Sequence, residues 1–590
     1  MHGALLVLLT WTVLTAAVVA LGFGPASMAG SSDGRWPLLR TSLWWGLALA
    51  LLAVLAVNLI EPLRSAAAAW LMAAAVVVLG ACSLMRWRRT RALQPSRHLP
   101  LTPGGVLLLV ALAAATLYLA VAALGPVTNY DSGLYHLGAV AYAGDYATIP
   151  GLANLYFPFG YDNSLFPFAA FLGNGPWDGQ GFRLANGFIL LLLMLDLAIR
   201  WTRGRRTPGA YVLLVGAVVA LVPMVTFSDY WVTSPTSDSC VLALTLVCNA
   251  YLVDALWHEA DRARNATTAF VLGVVLVSLR PIMAVFVVSL VIALVLRHLH
   301  ERRGSSGAAP EARVPGRLIW GLAAGIAVLI ALVQSARDFL LSGWLQYPLS
   351  IHAFDVAWRV PNPASNRAAT LGAARDPQRL WEAATGWDWI PAWLARLPAQ
   401  WETYVLVLLL GTAAVALVLA SRTGGLRLRV IALAVAPSAA TTLVWFLLTP
   451  PSFRFAWGPV FSLGVIPLGC ALFVLSRSPR TTALTRLATP VVLIGSAAVV
   501  LTVVGYSSVM RLHPGAGTEA HEVGIGALHT TVALAPIPEP ATRTMQLAGG
   551  LAVRFPIPTD QCWAVYPLCT AQLEGSVVMR GTSLQDGFQP

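Results

Sequence analysis

The stretch GGVLLLVALAAATLYLAVAALGPVTNYDSGLYHL, residues 104–137, decides the fold. Its first part, 104–124, carries no charge and has the length of a membrane-crossing helix, about 20 residues at 1.5 Å each. Apolar residues follow one another there without the alternation of a barrel strand, so the spanning element is helical. The polar remainder introduces Asp131 and His136 directly at the end of the apolar run. Leu134, Leu137, Val140 and Ala141 then continue at helical spacing, which predicts a segment lying along the membrane surface with Tyr135 at headgroup level.

The rest of the chain repeats this apolar pattern. With 57% hydrophobic residues, 11% charged residues and a mean hydropathy of +0.71, it lies outside the range of soluble globular domains. The reading is an all-α polytopic membrane protein with about 14 membrane segments. They fall near 3–22, 42–60, 67–85, 104–124, 182–200, 209–228, 239–257, 267–279, 282–297, 318–336, 403–421, 430–448, 457–476 and 488–506. The 267–279 segment is short and meets Arg280-Pro281, which suits a half-helix packed inside the bundle. The first segment also suits a signal peptide, but lacks a basic start and is read as a helix.

The net charge of +12 does not point to nucleic acid. The basic residues sit in short loops, RWRRTRALQPSRH, RWTRGRR, RHLHERRGSSGAAPEARVPGR, SRTGGLRLR and RSPRTTALTR, which is the positive-inside pattern. Placing these loops in the cytoplasm puts both termini outside, together with residues 125–181, the loop 337–402 and the tail 507–590. The chain then divides into N-terminal helices (1–103), a membrane core with two outer loops (104–336), the long loop (337–402), C-terminal helices (403–506) and the tail (507–590). Cys562 and Cys569 in DQCWAVYPLC form a disulfide in this reading, which requires an extracytoplasmic tail. The tail's runs TTVALA, LAVRFPI and SVVMRG predict a small β-rich unit of roughly 80 residues, for which a disulfide is a useful staple. An NAT sequon at Asn265 falls in a predicted cytoplasmic loop and is set aside.

A second acidic element, SDYWVTSPTSDSC, brings Asp229 and Asp238 to the same outer surface. The two acid-bearing loops, taken with other segments, resemble the GT-C class of polytopic glycosyltransferases. YDSGLYHLGAVAYAGDY is similar to that class's first outer loop, with Asp131 at the position of its catalytic acid, and TSDSCVLAL is similar to its second, with Asp238 matching. SLRPIMAVF, at Arg280, resembles the basic element joining two short helices, and LLSGWLQYPL resembles the Gly-x-x-x-Tyr-Pro segment, at Tyr347. A narrower resemblance covers most of the chain, to a bacterial membrane-protein family with a YDSGLYHL loop, an Arg-Phe pair (here TPPSFRFAWG) and a QCW…PC…RG…DGF tail. The class usually shows paired acids in the first loop. This chain has Asp131 followed by Ser-Gly, which leaves a divalent metal open, and no metal ligands are assigned.

The resemblance implies transfer of a sugar from a polyprenyl-phosphate donor to an envelope glycan or lipid, on the outer face of the cytoplasmic membrane and with no other cofactor. Asp131 would be the base that deprotonates the acceptor hydroxyl, with His136 assisting and Asp238 nearby. Arg280 and Arg454 would hold the donor phosphate, with Arg337 next in line, since guanidinium matches phosphate oxygens. Tyr135 and Tyr347 would line the substrate. The residues alone also fit other roles. Asp131 and Asp238 fit N-caps, His136 a buried interface histidine, and Arg280 a cation that pairs or snorkels. Tyr130, Tyr156, Phe157, Tyr161 and Trp177 fit sugar stacking or an aromatic belt. A transporter or flippase, or a non-catalytic envelope assembly protein, are the alternatives. Against a transporter stand the lack of visible matching half-repeats and the scarcity of mid-membrane acids, Asp196 and Asp254 lying near cytoplasmic helix ends, while Arg280 in a broken helix would serve a carrier equally well.

Overall fold

The computed structural model describes residues 2–28, 35–90, 102–202, 206–257, 261–304, 316–478, 519–525, 528–547, 550–573 and 576–590. Among them are 12 helices long and apolar enough to cross a membrane. The chain is a multi-pass helical membrane protein. Each of the 12 overlaps one of the expected segments, and the other two expectations end differently. Residues 267–279 belong to a longer helix, Arg262–Leu279, whose first turns carry Arg262, Arg264 and Asn265 and so lack the hydropathy of a span. Asn265 of the sequon is buried in it. The expected segment 488–506 lies outside the described residues, as do most of 86–98 and 305–315.

The bundle is organised around the Ser237–Trp257 helix, in which every residue from Asp238 onward is buried. A helix apolar on all sides finds its stability by burying all of them. Here Phe182–Thr202, Pro208–Thr226, Arg262–Leu279, Leu428–Leu448 and Trp457–Arg477 surround it. The outer helices Ala66–Thr90, Met283–Gly304, Gly316–Ser342 and Trp401–Ser421 instead expose large apolar side chains, among them Val77, Ile292, Leu332 and Leu408. Such surfaces match hydrocarbon rather than water. Small residues bring helices close where needed. A Cβ at Gly46 would stand 1.7 Å from the Val18 carbonyl oxygen, so the His2–Ser27 and Arg35–Asn58 helices cross at backbone contact.

Charges inside the bundle are paired. Arg200 reaches Asp196 at 2.5 Å and Asp254 at 2.6 Å, and Trp44 donates to Asp196 at 2.6 Å. These groups are almost wholly buried, where a lone ion would be costly by several kcal/mol.

The polar face opposite this cluster is built from the segments between helices. Residues 125–181 fold as a π turn, Ser132–His136, running into the helix Leu137–Asp145, then short helices up to Leu165–Leu172. The loop 343–400 contributes a two-stranded ribbon, Trp344–Gln346 with Ile351–Ala353, and the helices Pro363–Arg375 and Ile390–Arg396. The described tail pairs Glu519–Ile525 with Leu528–Leu534, Ala541–Gln546 with Ala552–Ile557, and Val578–Met579 with Phe588–Gln589, all antiparallel. Cys562 and Cys569 are disulfide-bonded.

The tail packs on the first loop. Trp563 donates its backbone N–H to the Gly133 carbonyl at 2.9 Å, and a Cβ at Gly133 would lie 2.4 Å from the Trp563 ring. Gln561 donates to the Tyr130 carbonyl, and the Tyr130 hydroxyl donates to Asp560. The loop that carries Asp131 is therefore clamped by the segment that carries the disulfide. In intact cells, a membrane-impermeant maleimide should label Cys562 and Cys569 only after an impermeant reductant is added. Labelling that requires permeabilisation would place the tail and the first loop on the cytoplasmic side.

Candidate functional site

Two carboxylates and two guanidinium groups meet where the first loop crosses the second. The first loop is held by hydrogen bonds to the second: Thr128 N–H to the Asp229 carbonyl at 3.0 Å, Thr233 Oγ1 to the Pro126 carbonyl at 2.9 Å, and Ser132 Oγ with Ser234 Oγ at 2.5 Å. Asp229 accepts from Thr128 Oγ1 at 3.1 Å and so belongs to this stitching.

Asp131 precedes the π turn with helical backbone angles and makes no capping bond. Its carboxylate meets Arg454 at 2.8 Å instead. Asp238, in the first turn of the central helix, pairs with Arg280. Arg280 also donates to Ser237 Oγ and to the carbonyl of Arg454, each at 3.3 Å, so the two ion pairs touch. The Phe455 ring lies under both guanidinium groups, 5.1 Å from that of Arg280 and 4.9 Å from that of Arg454. Arg280 reaches this position because the buried Arg262–Leu279 helix ends there: residue 280 is extended and Pro281 follows. The four residues come from segments up to about 320 positions apart, and all four act electrostatically on His136.

His136 is buried, with its Nδ1 3.3 Å from Ser132 Oγ and its ring against Tyr135 and Phe166. Burial outweighs the two nearby acids and pushes its pKa down to about 4, so the imidazole is neutral at pH 7. The unfolded chain takes up this proton near pH 6.5 and the folded one does not until about pH 4, so His136 makes the fold less stable as pH falls through that window. His136→Gln should therefore flatten the fall in melting temperature between pH 7 and pH 5, measured on detergent-purified protein. An unchanged slope would show that His136 protonates normally.

A cavity of about 520 Å³ opens beside Asp131 and Arg454. Tyr130, Tyr230, Trp231, Trp393 and Phe453 supply its aromatic lining, and Arg396, Gln400, Glu402 and Ser452 the remaining polar side chains. Tyr135 sits behind it, packed edge-on against Tyr161 and Phe166, and burial holds its hydroxyl well above the usual tyrosine range.

Two expected residues lie elsewhere. Arg337 is sealed in a separate cluster, bound to Asp162 at 3.1 Å, Asn58 at 2.6 Å and Thr148 at 2.9 Å. Tyr347 is a core residue of the long loop: its hydroxyl accepts from Asn366 at 2.8 Å and its ring lies 5.9 Å from Tyr161. Trp177 is buried and donates to Thr10. Conversely, Glu402 and Arg396 were missed. Glu402 stands one residue before an apolar run and reads from sequence as an interfacial charge. Arg396 is one of several arginines in a loop with no pattern to rank them.

Residues 4–461 match a family described as a domain of unknown function, DUF8201. The chain belongs to that family. The matched DUF8201 region contains Asp131, Asp238, Arg280 and Arg454 and stops short of the tail. No curated protein and no solved structure matches the chain.

The geometry makes Asp131 and Arg454 interdependent. Removing either leaves a partly buried charge without its partner, and removing both leaves neither. In a double-mutant cycle on stability, Asp131→Asn and Arg454→Gln should couple by about 1–3 kcal/mol. Additive effects in chemical denaturation would show that the pair contributes nothing.

Proposed function

We propose that this DUF8201 protein is a GT-C-like glycosyltransferase that moves a sugar from a polyprenyl-phosphate carrier to an envelope glycan or lipid, on the outer face of the cytoplasmic membrane. The observation that carries the reading is the convergence of Asp131, Asp238, Arg280 and Arg454 beside an aromatic-lined cavity on the face of the bundle that bears the long loops. A structural acid needs a cap or a counterion. Asp131 has a counterion, and it also faces a space large enough for a sugar.

In this mechanism the acceptor hydroxyl oxygen attacks the anomeric carbon of the donor from the side opposite the phosphate. The new C–O bond forms as the bond from the anomeric carbon to the phosphate oxygen breaks, and the electron pair leaves on polyprenyl phosphate with inversion at carbon. The hydroxyl proton passes to Asp131. Transfer of the proton comes late, when the attacking oxygen has become acidic through bond formation. Arg454 holds Asp131 through Nη1, and its remaining N–H groups are the donors for a phosphate oxygen. Arg280 and Asp238 hold the Arg454 backbone in place, and Arg280 is the second phosphate-side cation. Neutral His136 keeps the π turn in register through Ser132 rather than carrying a proton.

Asp131→Asn keeps the shape and the hydrogen-bonding oxygen while removing the base. Transfer, followed with radiolabelled polyprenyl-phosphate sugars on purified protein, should fall by about 10²–10⁴-fold. Wild-type turnover in a folded Asp131→Asn protein would reject the assignment. For Arg280, donor affinity should fall in the order Arg, Lys, Ala, because Lys keeps the charge and loses the fork. An Ala variant that is folded and binds donor normally would make Arg280 a structural partner of Asp238 alone.

A further inference from the structure

The cavity beside Asp131 holds two charges that no partner among the described residues neutralises. Asp131 and Arg454 cancel one another across 2.8 Å. Arg396, at the end of the Ile390–Arg396 helix, is different. Its guanidinium donates to the backbone carbonyls of Ala392, Ala374 and Arg375, and forms no ion pair among the described residues. Carbonyl oxygens satisfy N–H groups but carry no net charge, so the site keeps a full positive charge at its wall. On the same lining, Glu402 accepts from Trp457 Nε1 at 3.0 Å and likewise forms no ion pair among the described residues. Opposite charges that share a cavity without meeting leave a gap suited to a ligand with an anionic end and a hydroxyl-bearing end.

We propose that Arg396 is a further anion anchor of this cavity, sharing with Arg454 the phosphate of a sugar-phosphate ester whose hydroxyls reach Glu402. Its guanidinium is preoriented by three backbone acceptors, so little side-chain freedom remains to be lost on binding. The neighbourhood adds to the field. Arg375, whose carbonyl Arg396 binds, itself donates to the carbonyls of Ala383, Ala384 and Leu447, and Arg367 to that of Leu448, again with no ion pair among the described residues. The long loop thus delivers positive charge to a site whose other cations are already paired. Glu402 is placed to accept from the hydroxyls of the sugar, and the rings of Tyr230, Trp231 and Trp393 favour an ester with an apolar group over bare phosphate. The identity of the ester as lipid-linked rests on the glycosyl-transfer reading above.

Binding is measured on the purified full-length chain by tryptophan fluorescence, since Trp231 and Trp393 line the cavity. The probes are farnesyl phosphate, farnesol and inorganic phosphate. Farnesyl phosphate should bind better than either of the others, and Arg396→Gln should weaken it at least about 10-fold while leaving farnesol unchanged. Arg396→Lys should fall between, and Arg379→Gln, at an exposed pair with Glu382 in the same loop, should have no effect. Because Arg396 also supports its loop, the unmutated protein supplies a second measurement: farnesyl phosphate, but not farnesol, should slow phenylglyoxal modification of Arg396 as read by mass spectrometry. If wild type prefers farnesyl phosphate while Arg396→Gln and the modification rate are unaffected, the role of Arg396 is overturned and the glycosyl-transfer reading stands. If farnesyl phosphate binds no better than farnesol, both fall. If inorganic phosphate binds as tightly as farnesyl phosphate with the same dependence on Arg396, the anion site is upheld and a lipid-linked ligand is rejected.

Discussion

The contact between two carboxylate–guanidinium pairs, Asp131 with Arg454 and Asp238 with Arg280, ties the functional face together. An acid at the end of an apolar helix is tolerable in water and costly beside hydrocarbon, so each must find a cation. The cations come from two helix junctions, one where the Arg262–Leu279 helix stops at Pro281 and one just before the Trp457–Arg477 helix. Because Arg280 also donates to the Arg454 carbonyl, neither junction can shift without moving the other pair. Folding and site assembly are thereby the same event: the bundle must close before either acid is neutralised.

This constraint explains why the first loop needs so much support. The π turn at Ser132–His136 directs Asp131 outward while His136 points into the protein. An irregular turn of this kind is worth little by itself and persists only where its surroundings determine it. Those surroundings are the serine pair to the second loop, the ring cluster of Tyr135, His136 and Phe166, and the tail, whose Trp563 rests on Gly133 where no side chain would fit. The disulfide between Cys562 and Cys569, with Val565 packed against both, keeps this tail segment compact against the loop.

Much of this was legible in the chain. Span lengths follow from bilayer thickness, so each of the twelve apolar helices could be found from its own residues. The Asp131, Asp238, Arg280 and Arg454 quartet was also visible, as polar residues placed against the apolar pattern and in motifs that resemble one another's context. Partners were not legible, because pairing depends on contacts between distant segments. Arg337 and Arg454 look alike in sequence, each near the end of an apolar run. Only the folded chain shows that one is sealed against Asp162 and the other faces open space. Arg396 and Glu402 carried no periodic signal at all, since what sets them apart is having no countercharge among the described residues.

Composition therefore does not separate a site from a staple in this protein; access does. The cluster of Arg200, Asp196 and Asp254 has the same chemistry as the quartet, yet its side chains are at most 2% exposed. Its charges cancel in place, which suits holding helices together and nothing more. At the quartet, Asp131 is 16% and Arg454 is 26% exposed, and the space beside them is lined by rings and by two further ions that do not cancel. Partly exposed pairs are worth less to stability than sealed ones. A protein that leaves an ion pair partly exposed beside a polar cavity of about 520 Å³, and reinforces it with two loops and a tail, keeps those charges accessible.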